Sequence, residues 1–380
     1  MKILMNTGPA HPLFFPIVPL AWALRAAGHE VLVATAESFE ETVRQSGLAM
    51  TPVCGSLDMG DVMARDREGN IVRPPDSYEG MTVEIGRGFG RLAARTVDGL
   101  RDLVARWRPD AIVTESYSFA AVAAAARLHG VPWIKHTVGP GDLPIVTSAT
   151  RELAPELERL GLDGLPEPDL IIDNCPPLLG EITEGAQQVR YVPYGEPGAI
   201  PDWALQERTR PRVLVTLGSV QPQIGGLPML AQMLGALSSL DAELVVAVAD
   251  HLVEGLGPLP DNVIAAGWVS LTSALPGCDA VVHHGGPGTM LASLCQGLPQ
   301  VVIPGRGKPI DAVRRLAEFG AVHHLPPAEL TPERLLESCR ALLEEPGYAK
   351  QAVAAREEIA GLPSPAAMVP VIERLVADAR

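Results

Sequence analysis

Between residues 283 and 289 the chain reads His283-His284-Gly285-Gly286-Pro287-Gly288-Thr289, two imidazoles and three glycines in one short loop. The apolar run Ala280-Val281-Val282 precedes it, and a helical pattern from Met290 to Cys295, ended by Gly297, follows. A second apolar run, Gln300-Val301-Val302-Ile303-Pro304, comes at once. This order predicts a βαβ unit with a glycine-rich loop at the carboxyl end of its first strand. Glycines let the backbone approach a ligand closely, and Thr289 is placed to cap the helix. Unpaired N–H groups and the helix dipole at such a turn suit a phosphate or diphosphate. The paired imidazoles add donors that can follow charge appearing on that group. A bare strand-to-helix turn would need neither three glycines nor two histidines.

The surrounding elements must hold that loop. From residue 2 to 35 the pattern is strand, helix, strand: Lys2-Ile3-Leu4-Met5, then Ile17, Leu20, Ala21 and Leu24 at helical spacing, then Glu30-Val31-Leu32-Val33-Ala34. A polar, irregular stretch runs from Gly55 to Gly80, and a long amphipathic helix is predicted over Thr82 to Trp107. The strand Ala111-Ile112-Val113, an alanine-rich helix from Phe119 to His129 and the strand Val131-Pro132-Trp133-Ile134 follow. Val192 to Arg210 holds Pro193, Pro197 and Pro201 and marks a linker. The pattern restarts with Arg212 to Leu217, then Leu244 to Ala249, Val263 to Val269, Asp279 to His284 and Gln300 to Pro304. A helical run from Glu333 to Ala360 and a terminal helix from Pro365 to Ala379 close the chain. Alternating strands and helices predict parallel sheets covered on both faces, in two Rossmann-like, doubly wound α/β domains. The expected boundaries are 1–200, 211–362, and a terminal helix 363–380 packing back on the first domain. The natural ligand site of such a pair is the cleft between the carboxyl ends of their strands.

At 380 residues the chain exceeds one ordinary core, which fits two domains. A net charge of −15 argues against nucleic acid and anionic membranes as partners, so an anionic ligand must be held by local donors. Cys54, Cys175, Cys278, Cys295 and Cys339 are odd in number and widely spaced, and read as buried thiols of a cytoplasmic protein. Lys2 and the apolar run Pro12 to Leu24 imitate a signal peptide, but Pro12, Pro16 and Pro19 interrupt it. No apolar run is expected to span a bilayer. The turn after the first strand, Asn6 to Pro12, has one glycine, so it is not a nicotinamide dinucleotide fingerprint. Gly86-Arg87-Gly88-Phe89-Gly90 lies in a helical pattern with no strand before it and is set aside as a ligand motif.

Four segments in order carry a family resemblance: VPLAWALRAAGHEVLVAT from Val18 to Thr35, GWVS from Gly267 to Ser270, the HHGGPGT loop, and GLPQVVIP from Gly297 to Pro304. They look like nucleotide-sugar glycosyltransferases of the GT-B fold. More narrowly, the chain resembles the actinobacterial antibiotic glycosyltransferases that attach deoxysugars to polyketides. The resemblance implies a thymidine or uridine diphosphate sugar as co-substrate and a small polyketide as acceptor, with no other cofactor and no metal. It implies that Trp268-Val269 meets the base and ribose. His283, Gly286, Pro287, Gly288 and Thr289 would meet the diphosphate, with Gly218 and Ser219 closing from the first strand of the second domain. Displacement with inversion at the anomeric carbon leaves growing charge on the diphosphate, which prepositioned donors stabilise.

Two departures stand out. The acidic-glutamine pair that relatives use on sugar hydroxyls falls on Lys308-Pro309 here, with Asp311 three residues on. Asp311 then either helps hold a sugar with few hydroxyls or only caps a helix. The histidine that relatives carry before the proline matching Pro16 falls on Leu13, while His11 lies in the same loop. Its partner acid would fall near Glu115, and Asp142 in HTVGPGD is the other candidate base. Losing the histidine favours an acceptor that ionises readily, since a phenol titrates near pH ~10 where an aliphatic alcohol does not. An aromatic acceptor, glycosylated at oxygen or at the ortho carbon, is therefore expected. Phe14, Phe15, Met59, Met63, Met81, Ile85 and Phe89 supply apolar surface for it in the first domain, or serve simply as core. A nucleotide-sugar epimerase of the same fold, or an inactive sugar-nucleotide-binding partner, remains open from these residues, as does oligomeric state.

Overall fold

The computed structural model describes residues 1–75, 77–180, 182–219, 221–305 and 310–380, the side chains of residues 223, 224 and 310 excepted. The chain divides into two compact units, one of Met1–Cys175, Ile182–Arg190 and Leu362–Arg380, the other of Pro176–Glu181 and Tyr191–Gly361.

Among the described residues the first unit holds strands β1 (Lys2–Asn6), β2 (Glu30–Ala36), β3 (Ala49–Cys54), β4 (Ala111–Glu115), β5 (Trp133–His136), β6 (Leu170–Asp173) and β7 (Gln187–Gln188). They lie in the order β3-β2-β1-β4-β5-β6-β7, every pairing parallel. The second unit holds β8 (Arg212–Thr216), β9 (Glu243–Ala247), β10 (Val263–Gly267), β11 (Ala280–His283), β12 (Gln300–Val302) and β13 (Val322–His324), ordered β10-β9-β8-β11-β12-β13 and all parallel. Each order reverses beside its first strand, at β1/β4 and at β8/β11. Carboxyl-end loops diverge at such a switch point and leave a crevice for a ligand. The central strands β4, β8 and β11 are buried along their whole length, as two-faced parallel strands must be.

Helix Phe119–His129 buries every residue from Phe119 to Ala126. Its alanines let it lie close to both the sheet and the long helix Tyr78–Trp107, which Ser77 caps by accepting the Gly80 N–H at 3.0 Å. The glycines of that long helix have a packing role. A Cβ on Gly86 would fall 1.9 Å from Ser148 Oγ, on Gly90 2.7 Å from the Ala149 carbonyl oxygen, and on Gly99 1.8 Å from that of Val53.

Several expectations shift. Strands β3, β6, β7 and β13 are additional, and the irregular stretch contains the helix Met59–Ala64. Pro346 splits the 333–360 run into helices Pro332–Glu344 and Pro346–Gly361, because proline cannot donate within a helix. The expected linker includes a helical turn, Asp202–Leu205, whose Trp203 lies 5.1 Å beneath the Arg212 guanidinium. The run Pro346–Asp378 passes for a membrane span by length and composition. It is nonetheless broken between Gly361 and Pro365, and buries Ala352, Ala355 and Ile359 before the break and Met368, Ile372 and Val376 after it. The last helix, Val369–Asp378, joins the first unit through Glu373, 3.1 Å from His29 Nε2, and Arg380 pairs with Asp110.

Candidate functional site

In the second unit the loops after β8 and β11 meet at the switch point. Gly218 adopts φ +75°, and its N–H donates to Thr216 Oγ1 at 3.0 Å; Thr216 in turn donates to the Ala247 carbonyl at 2.8 Å. Ser219 follows, half-buried. After β11, Gly285 takes φ +78° and Gly286 becomes the N-cap of helix Pro287–Gln296, which Gly297 closes at φ +71°. The helix therefore starts earlier than the sequence pattern indicates. Thr289 is no cap but a buried first-turn residue, and among the described residues no side chain caps this end. Pro287 has no N–H to satisfy, so the donors of the first turn are Gly288 and Thr289.

The two histidines differ. His283 is fully buried, its Nδ1 accepting from Gly285 N–H at 3.1 Å and its Nε2 lying 2.7 Å from Gln300 Oε1. Its ring works beneath the loop, because strand alternation turns it into the packed layer under helix Pro287–Gln296. His284 is the imidazole at the switch point: a Cβ on Gly218 would lie 2.6 Å from its Cε1, and one on Gly286 2.8 Å. Those two glycines are needed to clear the ring. Gly288 is not needed in that way, since a Cβ there would meet only Tyr191 Oη, at 3.9 Å.

Beyond β10, Gly267 takes φ +147° and the Trp268 N–H donates to Asp250 Oδ1 at 2.7 Å. This turn leaves the Trp268 indole 44% exposed while Val269 packs against a cluster that includes Leu214 and Val281. Asp250 was not singled out in the sequence, where a lone aspartate after an apolar strand carries no signal. Asp311 lies exposed in the first turn of helix Ile310–Phe319, paired with Arg314 at 2.9 Å. Lys308 and Pro309 lie outside the described residues.

In the first unit, Glu115 ends β4 fully buried. Its Oε1 accepts from Gly8 N–H at 3.2 Å, and its Oε2 from the N–H groups of Tyr117 at 2.7 Å and Ser118 at 3.3 Å. Burial pushes this carboxyl above its ordinary range, and the backbone donors oppose that rise. Glu115 thus ties the loop after β1 to the loop after β4. His11 opens the short helix His11–Phe14, its ring stacked on Phe15 with centroids 5.0 Å apart and its Nε2 3.5 Å from Thr42 Oγ1. Leu13 is buried and packs over Gly8.

Asp142 Oδ2 accepts from Ser116 Oγ at 2.6 Å and pairs with Lys135 Nζ at 3.0 Å. Its Oδ1 has no hydrogen-bond partner among the described residues. The Tyr117 phenol is pushed above its usual value, first by burial and then by the charge of Asp142. The Tyr117 ring stacks on Phe89, centroids 5.1 Å apart and planes 24° from parallel. Ser116, Tyr117 and Lys135 carry no motif and were missed.

Phe14 is corrected to core. It is 0% exposed and packs edge-on against Phe39 at 5.8 Å, leaving no face for an acceptor. Phe89 is also buried, while Phe15, Met59, Met63, Met81 and Ile85 are half-buried. Among the described residues no three His, Cys, Asp or Glu side chains cluster as metal ligands would.

The chain matches the models of the erythromycin biosynthesis protein CIII-like N-terminal domain over residues 22–218 and C-terminal domain over residues 231–375. The L-demethylnoviosyl transferase of Streptomyces niveus is 35% identical, the alignment covering 100% of this chain and 99% of that protein. The 3-alpha-mycarosylerythronolide B desosaminyl transferase of Saccharopolyspora erythraea is 33% identical, with 100% and 99% covered. Among solved structures, the glycosyltransferase SsfS6 of Streptomyces sp. SF2575, complexed with thymidine diphosphate, superposes with a TM-score of 0.85 at 40% identity, covering 98% of this chain and 99% of that one. The chain therefore belongs to the erythromycin biosynthesis protein CIII-like family and is a glycosyltransferase of the GT-B fold.

Proposed function

We propose that this enzyme moves a deoxyhexose from a thymidine diphosphate sugar to a hydrophobic, aromatic polyketide, inverting the anomeric centre without a metal. The observation that carries the reading is Gly288. It is exposed in the first turn of an uncapped helix, and the protein's own packing leaves room for a side chain there. Glycine costs such a helix about 1 kcal/mol relative to alanine, so its presence fits a diphosphate pressed against the backbone. The solved relative that holds thymidine diphosphate supports that nucleotide, and the deoxysugar transferases among the relatives support the sugar class.

On the acceptor side we assign the base to Asp142, with His11 as the second candidate. The acceptor hydroxyl gives its proton to the carboxylate as its oxygen, or the ring carbon ortho to it, bonds to the anomeric carbon. The bond from that carbon to the diphosphate breaks, and the diphosphate leaves with the electron pair. The Gly288 and Thr289 N–H groups meet the charge that develops there. In carbon attack the base returns that proton to the phenol oxygen and then takes the proton displaced from the ring carbon, which restores the aromatic ring.

The test is incubation with a thymidine diphosphate deoxysugar and either phenolic polyketides or macrolactone alcohols, followed by mass spectrometry and hot acid. An adduct on phenols is expected. Survival in acid marks a carbon link, and hydrolysis an oxygen link. Adducts on macrolactone alcohols alone would overturn the aromatic acceptor. Release or interconversion of the sugar without any acceptor would point to an epimerase.

A further inference from the structure

We infer that Gln300 is a positioning residue for the nucleotide loop, acting through His283, which it holds as one neutral tautomer. The inference rests on the reading of residues 286–289 as the diphosphate site. A backbone N–H can only donate, so the Gly285 N–H, 3.1 Å from His283 Nδ1, fixes that nitrogen as a bare acceptor. The ring proton therefore sits on Nε2 and is donated to Gln300 Oε1 at 2.7 Å. The other end of the amide, Gln300 Nε2, donates to the Met290 carbonyl at 3.4 Å, while the Met290 N–H donates to the Gly286 carbonyl at 3.0 Å. One buried amide thus reaches both sides of the loop: Gly285 through the imidazole, and the first helical turn directly. His283, Gln300 and Ser293 are all 0% exposed.

The arrangement makes the loop sensitive to the charge on His283. A proton on Nδ1 would face the Gly285 N–H donor to donor and release the left-handed glycine that turns the backbone into the site. The His283 ring is enclosed by the elements packed around β11. Its strand neighbours are Thr216 and Val302. Among the described residues, the titratable side chains that the packed elements turn inward are His284 beside it, Cys295 on helix Pro287–Gln296, Tyr191 against that helix, and Cys339 on helix Pro332–Glu344. None of these is a carboxylate.

The experiment is calorimetric titration of thymidine diphosphate into the full chain between about pH 5 and pH 8, with thermal melting to check folding. Gln300→Leu leaves the Nε2 proton without an acceptor and is expected to weaken binding about tenfold. Gln300→Glu keeps the size but favours the imidazolium, so the loss of affinity on acidification should begin at higher pH. His283→Asn puts an oxygen that cannot be protonated where Nδ1 was, and should flatten the acid loss. A role in packing alone would lower the melting temperature without moving the pH profile. Gly288→Val probes the loop itself. If it abolishes binding while both Gln300 variants bind and titrate as the parent does, the Gln300 inference is overturned and the loop reading stands. Undiminished binding by Gly288→Val would remove the loop reading, and this inference with it.

Discussion

Lys135 and Asp142 form an ion pair in which Nζ lies 3.0 Å from Oδ2, the same oxygen that takes the Ser116 hydroxyl at 2.6 Å. Two donors on one oxygen fix the rotation of the carboxylate and leave Oδ1 without a partner among the described residues. An orphaned acceptor of this kind is costly unless a substrate donor completes it. Ser116 follows β4 directly, and Lys135 lies in β5, so adjacent strands set the geometry.

If Asp142 is the base, Asp142→Asn should lower kcat by about 10²–10⁴-fold and leave thymidine diphosphate affinity unchanged. Lys135→Met should cost less. It should cost nothing further in the Asp142→Asn background, because residues acting as a unit are not additive. Steady-state rates of the two single variants and the double variant decide this. Losses that multiply would mean that Lys135 acts independently of Asp142.

Trp268 should account for much of the nucleotide affinity. Its indole is 44% exposed on a turn that Asp250 pins through the Trp268 N–H at 2.7 Å. Stacking of a base on an aromatic ring is worth about 1–3 kcal/mol, so Trp268→Ala should weaken thymidine diphosphate binding about tenfold or more. Asp250→Ala, which frees the turn but keeps the ring, should weaken it less. Tryptophan fluorescence should change on titration with nucleotide, and the change should vanish in Trp268→Phe. Unaltered affinity in Trp268→Ala would remove the ring from the site.

Both sheets were legible in the sequence because their central strands are continuous apolar runs, such as Ile112-Val113 and Val213-Leu214-Val215, flanked by helices of clear periodicity. The edge strand β3 was not, since Pro52 and a polar Thr51 break its pattern and an edge position tolerates both. The loop after β11 was legible as a ligand site from its glycines. What each glycine does was not, since the reasons are tertiary: Gly218 and Gly286 clear the His284 ring, and Gly285 turns the backbone. Nor could spacing tell His283 from His284, neighbours of one type whose roles are set by strand alternation and by Gln300, 17 positions away.

His136 should make stability fall in mild acid. Burial depresses its imidazole from 6.5 to about 4, although its hydrogen bond to the Thr137 carbonyl and the charge of Asp173 pull the other way. That bond, 2.6 Å long, places the ring proton on Nδ1, since a carbonyl can only accept. Unfolding releases the ring to water, where it titrates near 6.5, so in the window between the two values the unfolded chain binds the extra proton. Stability contributed by the neutral ring is thus present above the unfolded value and lost as pH falls toward the folded one. Linkage puts the loss at about 2 kcal/mol between pH 7 and pH 5. Glu115, whose carboxyl is raised by burial, has the opposite slope, because its folded form holds a proton longer than its unfolded form. The test is therefore a difference: urea unfolding of the parent and of His136→Asn at both pH values, with the parent losing more on acidification. Equal losses would mean that His136 exchanges its proton in the folded state as freely as in the unfolded chain.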